Sequence, residues 1–346
     1  MATFKDFRNN VKPNWCPGCG DFSVQAAIQK AAANVGLEPE EVAIITGIGC
    51  SGRLSGYINS YGVHAIHGRA LPLAQGVKMA NKDLTVIASG GDGDGYAIGM
   101  GHTIHALRRN MNMTYIVMDN QIYGLTKGQT SPSSAVGFVT KSTPKGNIEK
   151  NVAPLELALS SGATFVAQGF SSDIKALTKM IEDAINHDGF SFVNVFSPCV
   201  TYNKVNTYDW FKEHLTSIDD IEDYDNSDKQ LAMRTVLEHE SLVKGIVYQD
   251  TETPSYESHI DELEDEALAK KDIHISEEKM KPEEVVIFFM LSISLEIFPF
   301  ISCIFFFLIS LSWTSPFSGA SLISLIIDLL NSFSGNSGIS SRFGSI

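Results

Sequence analysis

Asp92 stands among alternating glycines in Gly90-Gly91-Asp92-Gly93-Asp94-Gly95, and Asn120 follows 28 positions later in Met118-Asp119-Asn120-Gln121-Ile122. A carboxylate and an amide oxygen, each in a loop that closes an apolar run, suit a hard cation. Magnesium takes oxygen ligands in a near-octahedral shell and usually shares phosphate oxygens with its substrate. The Ile122 carbonyl, two residues beyond Asn120, is the expected third protein ligand. Gly93 and Gly95 let backbone approach a diphosphate at the start of a helix expected over 97–109, where unpaired N–H groups and the helix dipole favour anions. The expected chemistry is a magnesium diphosphate held by Asp92, Asn120 and Ile122.

Cysteine supplies the second constellation. Cys16 and Cys19 form a C-x-x-C pair, Cys50 ends a glycine-rich turn, and Cys199 follows Ser197-Pro198. Four cysteines at loops beyond strand or helix ends can converge at one edge of a sheet. Four thiolates suit either a [4Fe-4S] cluster or a tetrahedral zinc, and this spacing is not a ferredoxin run, so the metal stays open. Cys303 lies in a tail of different composition and is not a candidate. Lys127 is a cation beyond the Asn120 loop, placed to meet a diphosphate, a substrate carboxylate or coenzyme A. His64, His102 and His105 read as structural; the last two share a helix face, with no third metal ligand apparent.

These residues need elements to position them. Asp21 is the expected N-cap of a helix through Val24–Ala32. Val42–Thr46 reads as a buried strand ending in Gly47-Ile48-Gly49-Cys50-Ser51-Gly52, and a helix through Leu73–Met79 follows. The runs at 84–88 and 113–118 are strands with a helix over 97–109 between them, and a long loop runs from Asn120 to about Val152. A helix at 154–161, a strand at 164–167, a helix at 172–186 and a strand at 192–196 complete the series. Strands alternating with helices predict an α/β fold, a mostly parallel sheet with helices on both faces. Beyond it, 227–244 reads as one helix and 251–282 as a mobile, charged C-terminal arm.

The expected organisation is an α/β domain over 1–200, an acidic extension over 201–284 and an aberrant hydrophobic tail over 285–346. The tail turns abruptly to Phe, Ile, Leu and Ser after Glu284, which is what a reading-frame shift produces; a membrane segment is the alternative. The chain has 346 residues, and Lys+Arg 26 against Asp+Glu 40 gives a net charge of −14, which argues against nucleic acid as a partner. The run Asp219–Asp225 reads as a solvated face or a docking surface for a basic partner. No apolar signal region opens the chain, so a cytoplasmic location is expected, and cysteines there serve metal or redox chemistry sooner than disulfides.

The spacing of Gly91-Asp92-Gly93 and Asn120 resembles the thiamine diphosphate motif. The wider text is more specific: Trp15-Cys16-Pro17-Gly18-Cys19-Gly20, Gly47-Ile48-Gly49-Cys50-Ser51, Ile66-His67-Gly68-Arg69-Ala70 and Tyr123-Gly124-Leu125-Thr126-Lys127-Gly128-Gln129. Together they resemble the β subunit of 2-oxoacid:ferredoxin oxidoreductases, most closely the 2-oxoglutarate type, over about residues 1–280. The resemblance implies thiamine diphosphate with Mg2+, and one [4Fe-4S] cluster on Cys16, Cys19, Cys50 and Cys199. It implies that Cys50, Ser51, Gly52, Arg53, His67, Gly93, Asp94, Gly124 and Leu125 line the cofactor. Arg53, His67 and Lys127 become the residues nearest the chemistry, with Arg53 meeting the substrate carboxylate. The implied reaction is oxidative decarboxylation of a 2-oxoacid with coenzyme A to acyl-CoA and CO2, electrons leaving through the cluster to ferredoxin. No glutamate for the aminopyrimidine is marked here, so an α subunit is expected to bring it. A non-oxidative thiamine decarboxylase or synthase, a zinc-stabilised binding protein and a membrane-anchored redox subunit remain as alternatives.

Overall fold

The computed structural model describes residues 1–263 and 266–271. The hydrophobic tail over 285–346, with the readings placed on it, lies outside the described residues. Among the described residues, no helix is long and apolar enough to cross a membrane.

Eight strands form one sheet: β1 (Val42–Thr46), β2 (Tyr61–His64), β3 (Thr85–Gly91), β4 (Met113–Asp119), β5 (Phe165–Phe170), β6 (Phe190–Phe196), β7 (Thr216–Ser217) and β8 (Val243–Gln249). Their order is β2-β1-β3-β4-β6-β5-β8-β7. Every pairing is parallel except β5 with β8. The helices are α1 (Asp21–Asn34), α2 (Ala70–Ala80), α3 (Met100–Arg109), α4 (Pro154–Ser160), α5 (Ile174–Asn186), α6 (Tyr208–His214) and α7 (Lys229–Glu238).

Strand side chains alternate between the two faces. Ala43, Ile45, Val86, Ala88, Tyr115 and Val117 pack with Leu71 and Ala74 of α2, Ala106 and Leu107 of α3, and Leu155 of α4. Val42, Ile44, Ile87, Ile116 and Met118 pack on the other face with Val24 and Ile28 of α1 and Leu177 and Ile181 of α5. Burial on both faces explains why β4 and β6 are mostly apolar and wholly buried.

The parallel layers match the sequence expectation, and several local readings need correction. Asp21 is not an N-cap: Gly20 takes that place, and Asp21 lies inside the helix with its carboxylate accepting from Ser197 Oγ at 2.6 Å. The helix expected over 97–109 opens instead as a π-helical turn at Asp94–Ile98. The segment 227–244 is not one helix. α7 stops at Glu238, Glu240 and Ser241 adopt positive φ, and β8 begins at Val243. Asp228 caps α7 by accepting from the amides of Gln230 and Leu231. Within 251–271 the described residues form 3-10 turns with Leu263 and Ala267 buried. β2 is only four residues long, and β8 carries Val243, Ile246, Val247 and Tyr248 but lies in the stretch read as helix up to 244, so neither was expected as a strand.

Candidate functional site

Register decides where the chemistry converges. Thr46 pairs with Ser89, Gly91 with Met118, and Asp119 with Phe196, so β1, β3, β4 and β6 end side by side at nearly one level. The loops leaving those ends carry Cys50, Asp92, Asn120 and Cys199. Ligands of open α/β sheets bind at such carboxyl ends.

A cavity of about 160 Å³ opens there, walled by Ile48–Ser51, His67, Gly91–Asp94, Asn120 and Ile122–Thr126. Asp92 is 2 % exposed and accepts from Ser131 Oγ in a short hydrogen bond. Burial first, and the neighbouring Asp119 second, push its carboxyl well above the usual carboxylate range. Burial drives the Asp119 carboxyl upward as well, opposed by Asn194. Among the described residues no lysine, arginine or histidine pairs with Asp92. Asn120 Oδ1 accepts from the Ile122 amide at 3.1 Å, which folds the loop back onto the cavity. Ser51 Oγ is buried without a hydrogen-bond partner, and a methyl group added at Gly91 would lie 3.3 Å from it. Such orphaned buried oxygens are rare in native folds and mark places where a ligand completes the network.

Asp94 pins the cavity rim. Its Oδ1 accepts from the Ile48 amide at 2.9 Å and the Gly68 amide at 2.8 Å, and lies 2.7 Å from His67 Nδ1. Three loops are thereby tied by one carboxylate, and the ring of His67 is fixed on the wall. Gly93 has no room for a side chain, because an added methyl would meet the Tyr123 ring at 2.0 Å.

The four cysteines among the described residues are free thiols, with Cys16 exposed and Cys19, Cys50 and Cys199 half-buried. Gly20 N donates to Pro198 O at 3.5 Å and Tyr208 OH donates to Gly18 O at 3.2 Å, which brings the C-x-x-C loop to the Cys199 segment. Burial pushes the Cys50 thiol up to about 12, with Asp21, Cys199 and Cys16 adding to it. Burial also raises Cys19, with Asp21, Cys50 and Cys199 contributing. A methyl group added at Gly124 would sit 3.5 Å from Cys199 Sγ and 3.8 Å from Cys50 Sγ. Gly124 therefore borders both these sulfurs and the cavity, whose wall Cys50 itself joins. Among the described residues, no three His, Cys, Asp or Glu side chains are grouped to hold one metal ion.

A second cavity, of about 480 Å³, adjoins the first through shared Ile48, Gly49 and Leu125. Arg53 and His64 line it, and no carboxylate does. Its wall continues at Gly52, where an added methyl would lie 3.1 Å from His64 Nε2. Lys127 is exposed at φ 73° in the turn closed by the Tyr123–Gln129 pair, outside both walls. Sequence reasoning missed Ser131, Asp119, Tyr123 and His64 as site neighbours. Ser131 arrives from a hydroxyl-rich loop with no spacing rule, and His64 sits on an exposed strand that only the sheet order places there.

The sequence model of the thiamine pyrophosphate enzyme C-terminal TPP-binding domain matches residues 47–195, and that of the C-terminal part of the pyruvate ferredoxin oxidoreductase β chain matches 199–265. The 2-oxoacid:ferredoxin oxidoreductase subunit beta of Saccharolobus solfataricus is 41 % identical over 261 residues, spanning 72 % of this chain and 86 % of its own. The 2-oxoglutarate oxidoreductase subunit KorB of Mycobacterium tuberculosis is 46 % identical over 199 residues, 58 % of this chain and 53 % of its own. A solved 2-oxoglutarate:ferredoxin oxidoreductase from Magnetococcus marinus, with 2-oxoglutarate, coenzyme A and succinyl-CoA bound, superposes with TM-score 0.73 at 40 % identity, over 76 % of this chain and 89 % of that one. Fold, cavity and relatives agree that the chain belongs to the family of 2-oxoacid:ferredoxin oxidoreductase β subunits.

Proposed function

We propose that this β subunit holds thiamine diphosphate, through Mg2+, beside a [4Fe-4S] cluster. With an α subunit it would carry out oxidative decarboxylation of a 2-oxoacid, 2-oxoglutarate first, with coenzyme A to acyl-CoA and CO2, electrons passing to ferredoxin in the cytoplasm. The observation that carries this reading is Gly124, which lines the cavity of Asp92 and Asn120 and also borders the Cys50 and Cys199 sulfurs.

The residues present fit the groups. Asp92 is a buried carboxyl lacking a cationic partner among the described residues, and Ser51 Oγ lacks any hydrogen-bond partner. A carboxylate, the Asn120 amide oxygen and the Ile122 carbonyl are the hard donors magnesium prefers. Four thiols from three loops are the donor set of a [4Fe-4S] cluster, and electron transfer beside the thiamine needs a redox-active group, which zinc is not. Bound thiamine diphosphate supplies the carbon nucleophile and the electron sink for decarboxylation.

The chain's own residues then divide the work. Asp92, Asn120 and Ile122 hold the magnesium, while Gly93 and the start of the π-helical turn face the diphosphate. His67, fixed by Asp94, together with Cys50, Ser51, Gly52, Gly124 and Leu125, shapes the cofactor wall. Arg53 takes a substrate carboxylate. His64, on the same carboxylate-free cavity, offers a second site for the distal carboxylate of 2-oxoglutarate. Lys127 meets an incoming anion, coenzyme A included. Cys16, Cys19, Cys50 and Cys199 ligate the cluster, and exposed Cys16 faces the electron acceptor. The cavity wall carries aspartates but no glutamate, so the aminopyrimidine's carboxyl partner is assigned to the α subunit.

The test is the visible and EPR spectrum of anaerobically purified protein, with calorimetry of thiamine diphosphate. The expected result is a brown protein with a reducible cluster and magnesium-dependent binding. A colourless four-cysteine metal, or tight thiamine binding without iron, would overturn the oxidative reading. Full turnover by the chain alone would overturn the need for an α subunit.

A further inference from the structure

The turn that carries Ser51, Gly52 and Arg53 is a single 3-10 segment, Ser51–Gly56, with Cys50 at its amino end and Tyr57 at its carboxyl end. Both ends are held by the two residues that precede Cys16. Trp15 Nε1 donates to Cys50 O at 2.7 Å. Tyr57 OH donates to Asn14 Oδ1 at 2.7 Å and accepts from the Asn14 amide at 3.3 Å. The Trp15 ring is 7 % exposed and clamped edge-on by Tyr57 at 5.0 Å and Phe22 at 5.3 Å. Gln25 Nε2, one helix turn beyond, donates to Tyr57 O at 2.9 Å.

Other bonds hold the interior of the turn and its last residue: Thr46 Oγ1 donates to Gly52 O at 2.6 Å and Asn9 Nδ2 to Gly56 O at 3.0 Å. The flanking residues close it with Arg53 N to Cys50 O at 3.3 Å and Tyr57 N to Leu54 O at 2.9 Å. Short 3-10 segments have poor hydrogen-bond geometry and depend on their surroundings. Here the surroundings that hold the flanking Cys50 and Tyr57 include the residues leading into the C-x-x-C loop. The same loop therefore places two cysteines and grips the turn that opens onto both cavities.

We infer that Asn14, Trp15 and Tyr57 form a bracket that positions the Ser51–Gly56 turn for cofactor and substrate. Neither Trp15 nor Tyr57 lines the cavity of Asp92 and Asn120, so both act on the cofactor through that turn, although Tyr57 also lines the larger cavity. The inference rests on the thiamine reading for its consequence, but the bracket itself is visible in these contacts alone. Its effect is to couple the geometry of the cysteine loop to the positions of Ser51 and Arg53. Preorganised supporting contacts of this kind govern how well a site holds its ligand.

The experiment uses the full chain, purified anaerobically, as wild type, Tyr57→Phe and Trp15→Phe. Each variant keeps an aromatic ring and loses one hydrogen-bonding group. Thiamine diphosphate affinity with magnesium is measured by calorimetry, iron by EPR, stability by thermal melting, and amide exchange over 51–57 by mass spectrometry. The expected result is thiamine diphosphate binding weakened by about two- to tenfold, one hydrogen bond's worth, faster exchange over 51–57, and an unchanged cluster signal. Phe211→Leu, in a separate aromatic cluster, supplies the control: it lowers the melting temperature and leaves thiamine affinity alone. Unchanged affinity in both bracket variants, or a loss no greater than Phe211→Leu shows at equal destabilisation, overturns the inference. If wild-type protein binds no thiamine diphosphate, the proposed function fails instead. The exchange data then still decide the bracket, and unchanged exchange in Tyr57→Phe overturns it.

Discussion

The two ends of the sheet treat buried polar groups in opposite ways. At the amino ends of β5 and β6, Asn110 sits at φ 54° and caps α3. Its Oδ1 accepts from Thr164 Oγ1 at 2.6 Å and Phe190 N at 2.8 Å, and its Nδ2 donates to Pro254 O at 3.0 Å. Thr164 Oγ1 lies 2.8 Å from His187 Nε2. That network is closed. At the carboxyl ends, Asp92 and Asp119 are buried together with raised carboxyls, and Ser51 Oγ has no partner. Closed buried networks specify a fold, whereas an open one is costly unless something else completes it. The contrast separates structural polar residues from site residues without any appeal to motif.

The sharpest way to break the contrast is Asp92→Asn. It removes the carboxylate and keeps the shape, so magnesium-dependent thiamine diphosphate affinity should fall roughly a hundredfold or more, by calorimetry, if Asp92 is a metal ligand. The melting temperature should hold or rise, because a buried acidic group without a cation is gone. A lower melting temperature with binding intact would move Asp92 to the structural side. Asn110→Ala is the converse test. Leaving Thr164, Phe190 N and Pro254 O without their partner should cost about 2–4 kcal/mol in denaturant unfolding, with thiamine affinity unchanged in the folded fraction.

Gly124→Ala probes that border. The added methyl makes ordinary contacts with both sulfurs, so melting should barely change. The methyl would crowd a bound cluster, and iron content and the EPR signal should drop severalfold. Full iron occupancy in this variant would remove Gly124 from the argument.

The smallest expected effect is a pH slope from the closed network. Burial lowers the pKa of His187 below its ordinary value of 6.5, with Asp188 and Asp250 opposing. A histidine depressed in the folded state is neutral in both states above 6.5, so its contribution is intact there. Below 6.5 the unfolded chain takes up the proton first, and stability falls as pH drops toward the folded value. His187→Gln should flatten that part of the stability profile; an unchanged slope would assign the acid sensitivity elsewhere.

Much of this was legible in the sequence because the signals were local. Glycines beside Asp92, the Asp-Asn step ending β4, and apolar runs of strand length are all contiguous features. The same locality explains the errors. Asp21 looks like a cap from its neighbours, yet its carboxylate is claimed by Ser197, 176 positions away. The stretch 227–244 has helical residues throughout, yet the positive φ values at Glu240 and Ser241 and the pairing of β8 with β5 divide it. Edge strand β2, exposed along its length, has no core face to write a pattern.

By itself the sequence determined the donor types, the glycines that admit a diphosphate, and the alternation of strands and helices that forces a parallel, twice-covered sheet. Only the tertiary structure decided which loops meet. The order β1-β3-β4-β6 sets Cys50, Asp92, Asn120 and Cys199 side by side, and it follows from burying both faces of every central strand. Linear spacing carries no record of strand order. The bracket from Trp15 to Cys50 and the Asp94 knot on His67 therefore appear only once the chain is folded.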